Sequence, residues 1–266
     1  MKIIVCIKQV PDTVEVKTDP KTGALIREGV PAIINPDDKT GLEAALQIKA
    51  KVPGTTVTIV SMGPPQAEVA IREALAMGCD DAYLVSAREF GGSDTYATSG
   101  ILAAAVKKIG YDIIITGRQA IDGDTAQVGP QLAEKLSIPQ VSYVEEVKEV
   151  TEKHLVVRRQ YETGYHMIKI QTPCLLTAIA ELAVPRYMSV RGIVEAYEKE
   201  IKSIGFEDVK DALGDDLAMI GIKGSPTNVY QSFTKEMKGA GTILKDLSVD
   251  EAVKAIIQKM EDKFII

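Results

Sequence analysis

The fold is decided by residues 112–129, which read DIIITGRQAIDGDTAQVG. Three consecutive isoleucines, Ile113 to Ile115, are bounded by turn residues, which favours a β-strand that is buried on both faces. The segment after this strand is rich in glycine and aspartate and indicates a loop. Asp124 or Thr125 is a candidate cap for a following helix, and Gln127 stands in capping-box register with Asp124. Because of Pro130, such a helix would kink, or its regular part would begin at Gly129-Pro130 with proline at the first position. The stretch therefore predicts a strand, a loop and the start of a helix.

The start of this helix is a candidate phosphate site. Free N–H groups at a helix start carry partial positive charge and bind phosphate well. We expect Gly117, Gly123 and Gly129 to leave room where a ligand approaches the backbone. Asp122 and Asp124 are compatible with a bound phosphate if their oxygens face loop amides or ribose hydroxyls. A nucleotide is the expected ligand, and an ordinary strand–loop–helix connection is the alternative.

The composition is that of an ordinary globular protein. The chain has 266 residues, of which 45% are hydrophobic and 26% are charged. A net charge of -6 argues against nonspecific binding of nucleic acid, and the lack of tryptophan argues against a base-stacking surface. The N-terminal residues run directly into an apolar strand, unlike a signal peptide, and no apolar run has the length of a membrane span. We therefore expect a cytoplasmic protein.

The sequence contains no recognisable catalytic or metal-binding motif. Cys6, Cys79 and Cys174 are far apart and odd in number, which argues against a disulfide framework or a zinc site. The two histidines, His154 and His166, are too few for a histidine-rich metal site and are expected to lie in strands. There is no GxSxG and no Walker motif. A binding cradle without a protein catalyst is typical of a cofactor carrier.

The first half of the chain alternates between strand and helix patterns. This order occurs four times before about Leu136, which implies a parallel sheet with helices on both faces. Ligands of such sheets bind at the carboxyl ends of the strands, near the switch in strand order. Cys6–Lys8, Ser61–Gly63 and Gly117–Thr125 would all lie on that edge. Their convergence favours a nucleotide site.

The pattern changes after Pro139. Three segments alternate or are rich in β-branched residues, as antiparallel strands are: 140–146, 154–160 and 165–172. Residues 162–164 predict a hairpin turn. Residues 173–180 predict another buried strand, and residues 190–201 an amphipathic helix.

The remaining residues predict a separate C-terminal region. The mixed charge run 199–216 is expected to be solvated surface. Residues 221–241 predict a mostly irregular arm, and residues 246–263 a capped helix. The predicted division is therefore an α/β domain of residues 1–220 and a C-terminal region of residues 221–266.

Taken together, these segments resemble the beta subunit of electron-transferring flavoprotein over essentially the whole chain. The matching segments are VCIKQVPD (5–12), NPDD (35–38), SMGP (61–64), EALAMG (73–78), the loop 117–129, VRRQYETG (157–164) with Pro173 and Thr177, and PRY (185–187). The resemblance implies a three-layer α/β/α fold with a mainly parallel, doubly wound sheet, similar to adenine-nucleotide hydrolases. It also implies that the C-terminal arm and helix pack on a partner subunit.

The resemblance implies a heterodimer with an alpha subunit that holds one FAD. In the simpler branch of the family the beta site holds AMP. In the bifurcating branch it holds a second FAD, which accepts a hydride from NADH. One electron then passes to ferredoxin or flavodoxin, and the other passes through the alpha-subunit FAD to an acyl-CoA dehydrogenase. Such a chain is an electron carrier, and an oxidoreductase only within the complex.

Two short segments, Val10-Pro11-Asp12 and Gly123-Asp124-Thr125, resemble the bifurcating branch. We therefore expect FAD in this chain, with NADH as electron donor. An AMP-holding subunit is the first alternative, and an ATP-binding signalling domain of similar fold is the second.

The resemblance also implies which residues bind the cofactor and the partner. The expected cofactor contacts are Cys6, Lys8, Asn35, Pro36, Asp37, Asp38, Met62, Gly63, Gly117, Ala120, Ile121, Asp122, Gly123, Asp124, Thr125, Ala126, Gln127, Val128, Gly129, Pro130 and Gln131. The loop expected to dock onto an acyl-CoA dehydrogenase lies near residues 173–191 and contains Leu182, Pro185, Arg186 and Tyr187. Leu182 alone favours a core-facing residue, whereas the resemblance makes it an exposed apolar anchor.

Overall fold

The computed structural model describes residues 1–12, 31–227, 239 and 241–266. Its strands are β1 (Lys2–Cys6), β2 (Gln9–Pro11), β3 (Ala32–Ile34), β4 (Thr56–Met62), β5 (Asp81–Val85), β6 (Ile113–Gly117), β7 (Gln140–Val150), β8 (His154–Tyr161), β9 (Gly164–Gln171), β10 (Cys174–Ala178) and β11 (Lys202–Ile204). Its helices are α1 (Pro36–Lys51), α2 (Glu68–Met77), α3 (Thr95–Ile109), α4 (Val128–Leu136), α5 (Val190–Glu198), α6 (Phe206–Leu213), α7 (Gly221–Gly224) and α8 (Val249–Glu261).

Nine of the described strands form one sheet in the order β11-β5-β4-β1-β6-β10-β7-β8-β9. Pairing is parallel from β11 to β7 and antiparallel in β7-β8-β9, as the two halves of the sequence predict. From β1 the chain builds outward through β4 and β5, and α3 then carries it back to β6 on the other side of β1. The predicted doubly wound α/β fold is confirmed, and the switch in strand order lies between β1 and β6.

The core lies on both faces of this sheet. Ile113 and Ile115 pack in the cluster that contains Leu42 of α1, whereas Ile114 packs in the cluster that contains Leu132 of α4. All three isoleucines are fully buried. Successive side chains of a strand point to opposite faces, so the three isoleucines of β6 fill the core on both faces of the sheet.

Residues 199–216 were expected to be solvated surface, and this prediction is wrong. β11 pairs in parallel with β5 at the edge of the sheet, and α6 packs behind it. Ile204, Val209 and Leu213 are almost completely buried. The charged residues of this run occupy the outer face of α6, while the apolar residues between them face the sheet.

The chain divides into two units, Met1–Gln231 and Ser232–Ile266, which places the division later than the predicted boundary at 220/221. Gly221 N–H donates to Ser93 Oγ at 2.9 Å, and Ile222 N–H donates to Gly91 O at 3.0 Å. These bonds hold α7 in the first unit. The rest of the predicted irregular arm, residues 228–238 and 240, lies outside the described residues.

The second unit contains α8, which lies within the predicted capped helix 246–263 and begins with a capping box. Ser248 N–H donates to Glu251 Oε2 at 2.9 Å, and Glu251 N–H donates to Ser248 Oγ at 3.4 Å. On one side of this helix Val253, Ile256 and Ile257 remain partly exposed. No helix among the described residues is both long and apolar enough to cross a membrane.

Candidate nucleotide-binding site

The site predicted at the sheet edge is organised by Asp38, in the first turn of α1. Its Oδ2 accepts a hydrogen bond from Lys8 N–H at 2.7 Å, and its Oδ1 accepts one from Gly117 N–H at 2.8 Å. Lys8 and Gly117 lie at the ends of β1 and β6, the two strands that flank the switch in strand order. One carboxylate therefore fixes the two strand ends relative to each other.

Asp38 is held by the protein itself. Its exposed fraction is 7%, and both oxygens are engaged by backbone N–H groups. Burial raises its pKa to about 7, although the hydrogen bonds from Lys8, Asn35 and Gly117 oppose that rise. Asp38 therefore holds the edge of the sheet, and its contact with a nucleotide stays a prediction.

The loop after β6 is tied down by side chains from elsewhere in the chain. Asn35 Nδ2 donates to Gln119 O at 2.8 Å, and Asn35 Oδ1 accepts from Ile121 N–H at 3.1 Å. Lys8 Nζ lies 2.6 Å from Asp122 Oδ1. Asn35 is fully buried, so these hydrogen bonds fix the loop from its protein-facing side.

The two aspartates of the loop do not stand free beside the expected phosphate. Asp122 pairs with Lys8, and its side chain is 3% exposed. Asp124 Oδ1 accepts from Gln119 Nε2 at 2.9 Å. The ion pair with Lys8 offsets the charge of Asp122, whereas Asp124 keeps its charge and is held by a neutral amide, so the conflict with an anion site is reduced by one carboxylate.

Beyond these ties, the loop presents a row of unused donors. In the described part of the chain, the backbone N–H groups of residues 125–129 donate no hydrogen bond. Asp124 and Ala126 adopt left-handed conformations with φ of 51° and 52°. Alternation with left-handed residues turns successive N–H groups to one side and forms an anion-binding concavity. The row leads into the start of α4, where the helix dipole adds positive potential.

The predicted cap of this helix is wrong. α4 begins at Val128, with Gln127 as the flanking residue, and no side chain caps it. Asp124 bonds Gln119 instead, and Gln127 Oε1 accepts from Thr95 Oγ1 at 2.8 Å. An uncapped helix start leaves its N–H groups available to another acceptor.

Two of the three loop glycines have a structural reason that the sequence did not reveal. A Cβ on Gly117 would lie 2.3 Å from Asp38 Oδ1, and a Cβ on Gly129 would lie 2.7 Å from Thr116 Oγ1 and 2.9 Å from Thr177 Cγ2. These positions are glycine because helices and strands approach closely there. A Cβ on Gly123 would meet nothing within 4 Å, which keeps the predicted approach of a ligand open at that residue.

The strand ends supply mostly apolar surface. Cys6 is 8% exposed, and burial, with a smaller contribution from Asp38, raises the pKa of its thiol to about 12. The thiol is therefore protonated and unreactive at neutral pH. Met62 is half-buried and packs against the core cluster that contains Cys6. Gly63 N–H donates to Val85 O. Pro36 is the first residue of α1.

Sequence reasoning missed two polar residues at this edge, Thr95 and Arg118. Thr95 is the first residue of α3 and holds Gln127; the helix cap Asp94 beside it was the available signal. Arg118 Nε lies 3.6 Å from Asp37 Oδ2, and neither atom has a hydrogen-bond partner among the described residues. Burial raises the pKa of Asp37, and Arg118 opposes that rise.

Residues 180–189, here called the docking loop, differ from expectation in which side chains they expose. Leu182 is only partly exposed and packs against the core, because its N–H donates to Ile179 O and closes a turn against α1. Val184 and Tyr187 are 88% and 100% exposed. Arg186 is bound to Glu43 of α1. Val184, Tyr187 and Met188, rather than Leu182, are therefore the exposed large apolar side chains of the loop, and Val184 and Tyr187 are the most exposed.

Comparison with known proteins places the chain in one family. Residues 22–209 match the electron transfer flavoprotein domain. Over the full length of both chains, the sequence is 53% identical to the caffeyl-CoA reductase–Etf complex subunit CarD of Acetobacterium woodii and 55% identical to the electron transfer flavoprotein subunit beta of Clostridium acetobutylicum. It is 51% identical to the acryloyl-CoA reductase electron transfer subunit gamma of Anaerotignum propionicum, again over both full lengths. The chain therefore belongs to the electron transfer flavoprotein beta-subunit family.

Proposed function

We propose that the loop of residues 117–131 binds FAD and that this chain is the beta subunit of a bifurcating, NADH-using electron transfer flavoprotein. The observation that supports FAD binding is the row of unused N–H donors at residues 125–129, on the edge where doubly wound sheets bind ligands. When bound there, FAD would accept a hydride from NADH and divide its two electrons. One electron would pass to ferredoxin or flavodoxin, and the other would pass through an alpha-subunit FAD to an acyl-CoA dehydrogenase.

The protein's own part is to hold and shield the cofactor. The N–H groups of residues 125–129 are suited to the two phosphates of a dinucleotide, since each could donate a charge-assisted hydrogen bond. Asn35 and the Lys8–Asp122 pair fix residues 119–122, the part of the loop that leads into that row. The buried, protonated Cys6 thiol adds no competing nucleophile near the site.

The names of the relatives favour the bifurcating branch over the simple carrier. Two of them are subunits of complexes named for caffeyl-CoA reductase and acryloyl-CoA reductase. By analogy, we propose that this chain works with an alpha subunit and delivers electrons to an acyl-CoA dehydrogenase. We also propose that the docking loop contacts that dehydrogenase, because it presents Val184 and Tyr187 to solvent beside the exposed helix α5.

The cofactor content of the purified heterodimer tests this proposal. Denaturation followed by chromatographic measurement of released FAD and AMP should give about two FAD molecules per heterodimer and no AMP. About one FAD together with one AMP would overturn the proposal in favour of a simple carrier. Reduction of the bound flavin by NADH, followed by absorbance, should occur in the absence of any dehydrogenase.

A further inference from the structure

A buried carboxylate of α1 binds the docking loop. Glu43 lies in α1, and its side chain is 6% exposed. Its Oε2 accepts from Arg186 Nε at 2.7 Å and from Arg186 N–H at 3.2 Å, while its Oε1 accepts from Arg186 Nη2 at 2.9 Å. This is a two-pronged guanidinium–carboxylate pair reinforced by the backbone, which fixes direction as well as distance.

We propose that Glu43 is a positioning residue for partner docking and acts through Arg186 to hold Val184 and Tyr187 outward; this rests on the proposed docking role of the loop. Arg186 stands directly before Tyr187, so the pair with Glu43 fixes the backbone from which that exposed ring projects. Val184 and Tyr187 make no hydrogen bond or ring contact with described residues that would orient them otherwise.

The strength of the pair is consistent with this role. Although burial alone would raise the pKa of Glu43, the hydrogen bonds from Arg186 lower it, so the carboxylate is charged at neutral pH. Gln47 Nε2 adds a further hydrogen bond to Oε1 at 3.2 Å. On the other side of Arg186, Ser189 caps α5 by accepting from Gly192 N–H at 3.0 Å. Tyr187 therefore lies between two fixed residues, Arg186 and Ser189.

Removing the pair should change binding and leave the chemistry alone. Without it the loop samples other conformations, and the apparent affinity for the partner falls in proportion to the fraction of loops in the competent one. Electron transfer within the assembled complex does not depend on that fraction once the partner is saturating. The KM for the dehydrogenase should therefore rise while kcat is kept.

The experiment uses the whole heterodimer and a purified acyl-CoA dehydrogenase. Glu43→Gln should raise the KM for the dehydrogenase by roughly tenfold and change kcat by less than about twofold. Flavin content and the rate of flavin reduction by NADH should stay at the wild-type values. Glu73→Gln is the matched control, because it breaks the Lys39–Glu73 pair, which is also made to α1. That control should leave KM unchanged.

A double-variant comparison tests whether Arg186 acts through Glu43. Arg186→Lys should raise KM about as much as Glu43→Gln, and the double variant should be no worse than either single one. If the two effects multiply instead, Arg186 contacts the partner on its own account and the inference is overturned. An unchanged KM in a Glu43→Gln heterodimer of normal melting temperature would overturn it as well.

Tyr187→Ala separates this inference from the proposed docking role. If Tyr187→Ala leaves KM unchanged, the loop is not a docking surface and the proposed role itself fails. If Tyr187→Ala raises KM and Glu43→Gln does not, docking stands and only the positioning role of Glu43 fails. A rise in both variants supports both.

Discussion

Replacing Gly129 by alanine tests whether the N–H groups at the start of α4 hold the cofactor. The added Cβ would lie 2.7 Å from Thr116 Oγ1, whereas an ordinary contact is at least 3.4 Å, so the two atoms must separate by about 0.7 Å. Thr116 lies in β6 and is buried in the core. The start of α4 is therefore the part expected to move, and the N–H groups of residues 125–129 move with it.

The expected effect on stability is small because two contributions oppose each other. Overpacking of this kind costs about 1–3 kcal/mol, and alanine is favoured over glycine in a helix by up to about 1 kcal/mol. The net loss is about 0–2 kcal/mol. The effect on FAD should be larger, since losing one hydrogen bond to a charged phosphate costs about 1.5–3 kcal/mol, or about a 10-fold to 100-fold loss of affinity.

The assay is fluorescence titration of the flavin-depleted heterodimer with FAD, alongside thermal melting of the same sample. Two further variants serve as controls. Thr177→Ser removes the Cγ2 that would lie 2.9 Å from the new Cβ, so the Gly129→Ala/Thr177→Ser double variant should recover part of the affinity. Gly123→Ala should leave the melting temperature of the depleted protein unchanged, because its Cβ meets nothing within 4 Å. Wild-type FAD affinity in Gly129→Ala, together with a lowered melting temperature, would refute the reasoning.

Three further predictions follow from named contacts. Burial raises the pKa of Asp38 from 3.8 to about 7, so the folded state holds this proton more tightly than the unfolded state, and the group's contribution to stability falls as pH rises between those values. Asp38→Asn should remove that slope, and melting temperatures measured between pH 5 and 8 that fall in parallel for both proteins would contradict this. Lys8→Met should weaken FAD binding by about tenfold at low salt because the pair with Asp122 is lost, and an unchanged titration would argue against a role for that pair. Because Leu182 packs the docking loop against the core, Leu182→Ala should loosen the loop and slow electron transfer to the dehydrogenase at unchanged flavin content, and an unaltered rate would count against that role.

The sequence predicted the fold wherever local pattern and tertiary environment agree. The three consecutive isoleucines of β6 predict burial on both faces, and all three are fully buried in the sheet. β11 and α6 were not predicted, because charged residues dominate the local sequence pattern there. The three apolar residues that decide their burial are spread over ten positions, and the surfaces that they cover belong to β5 and α3, which lie far away in the chain.

The candidate site was predicted by region but less well by residue. A loop between a buried strand and a helix start is visible in sequence, because glycine and aspartate mark it. What the sequence does not reveal is which polar groups bond each other across the edge. The sequence does not show that Asp38 accepts from two backbone N–H groups, or that Thr116 lies against Gly129. Both depend on pairs of residues far apart in the chain.

The two proposed sites share one rigid element, and this makes their responses to substitution unequal. α1 supplies Asp38 to the cofactor edge and Glu43, little more than one turn later, to the docking loop. Asp38 fixes strand ends that belong to the core, so a change there shifts the start of α1 and with it the position of Glu43. Glu43 instead holds a surface loop, so its loss leaves α1 anchored by the core residues Leu42 and Leu46. Variants at Asp38 should therefore alter both FAD affinity and the KM for the dehydrogenase, whereas variants at Glu43 should alter KM alone. A Glu43 variant that also lost flavin would show that the helix itself is held by that pair, and the separation of the two sites argued above would fail.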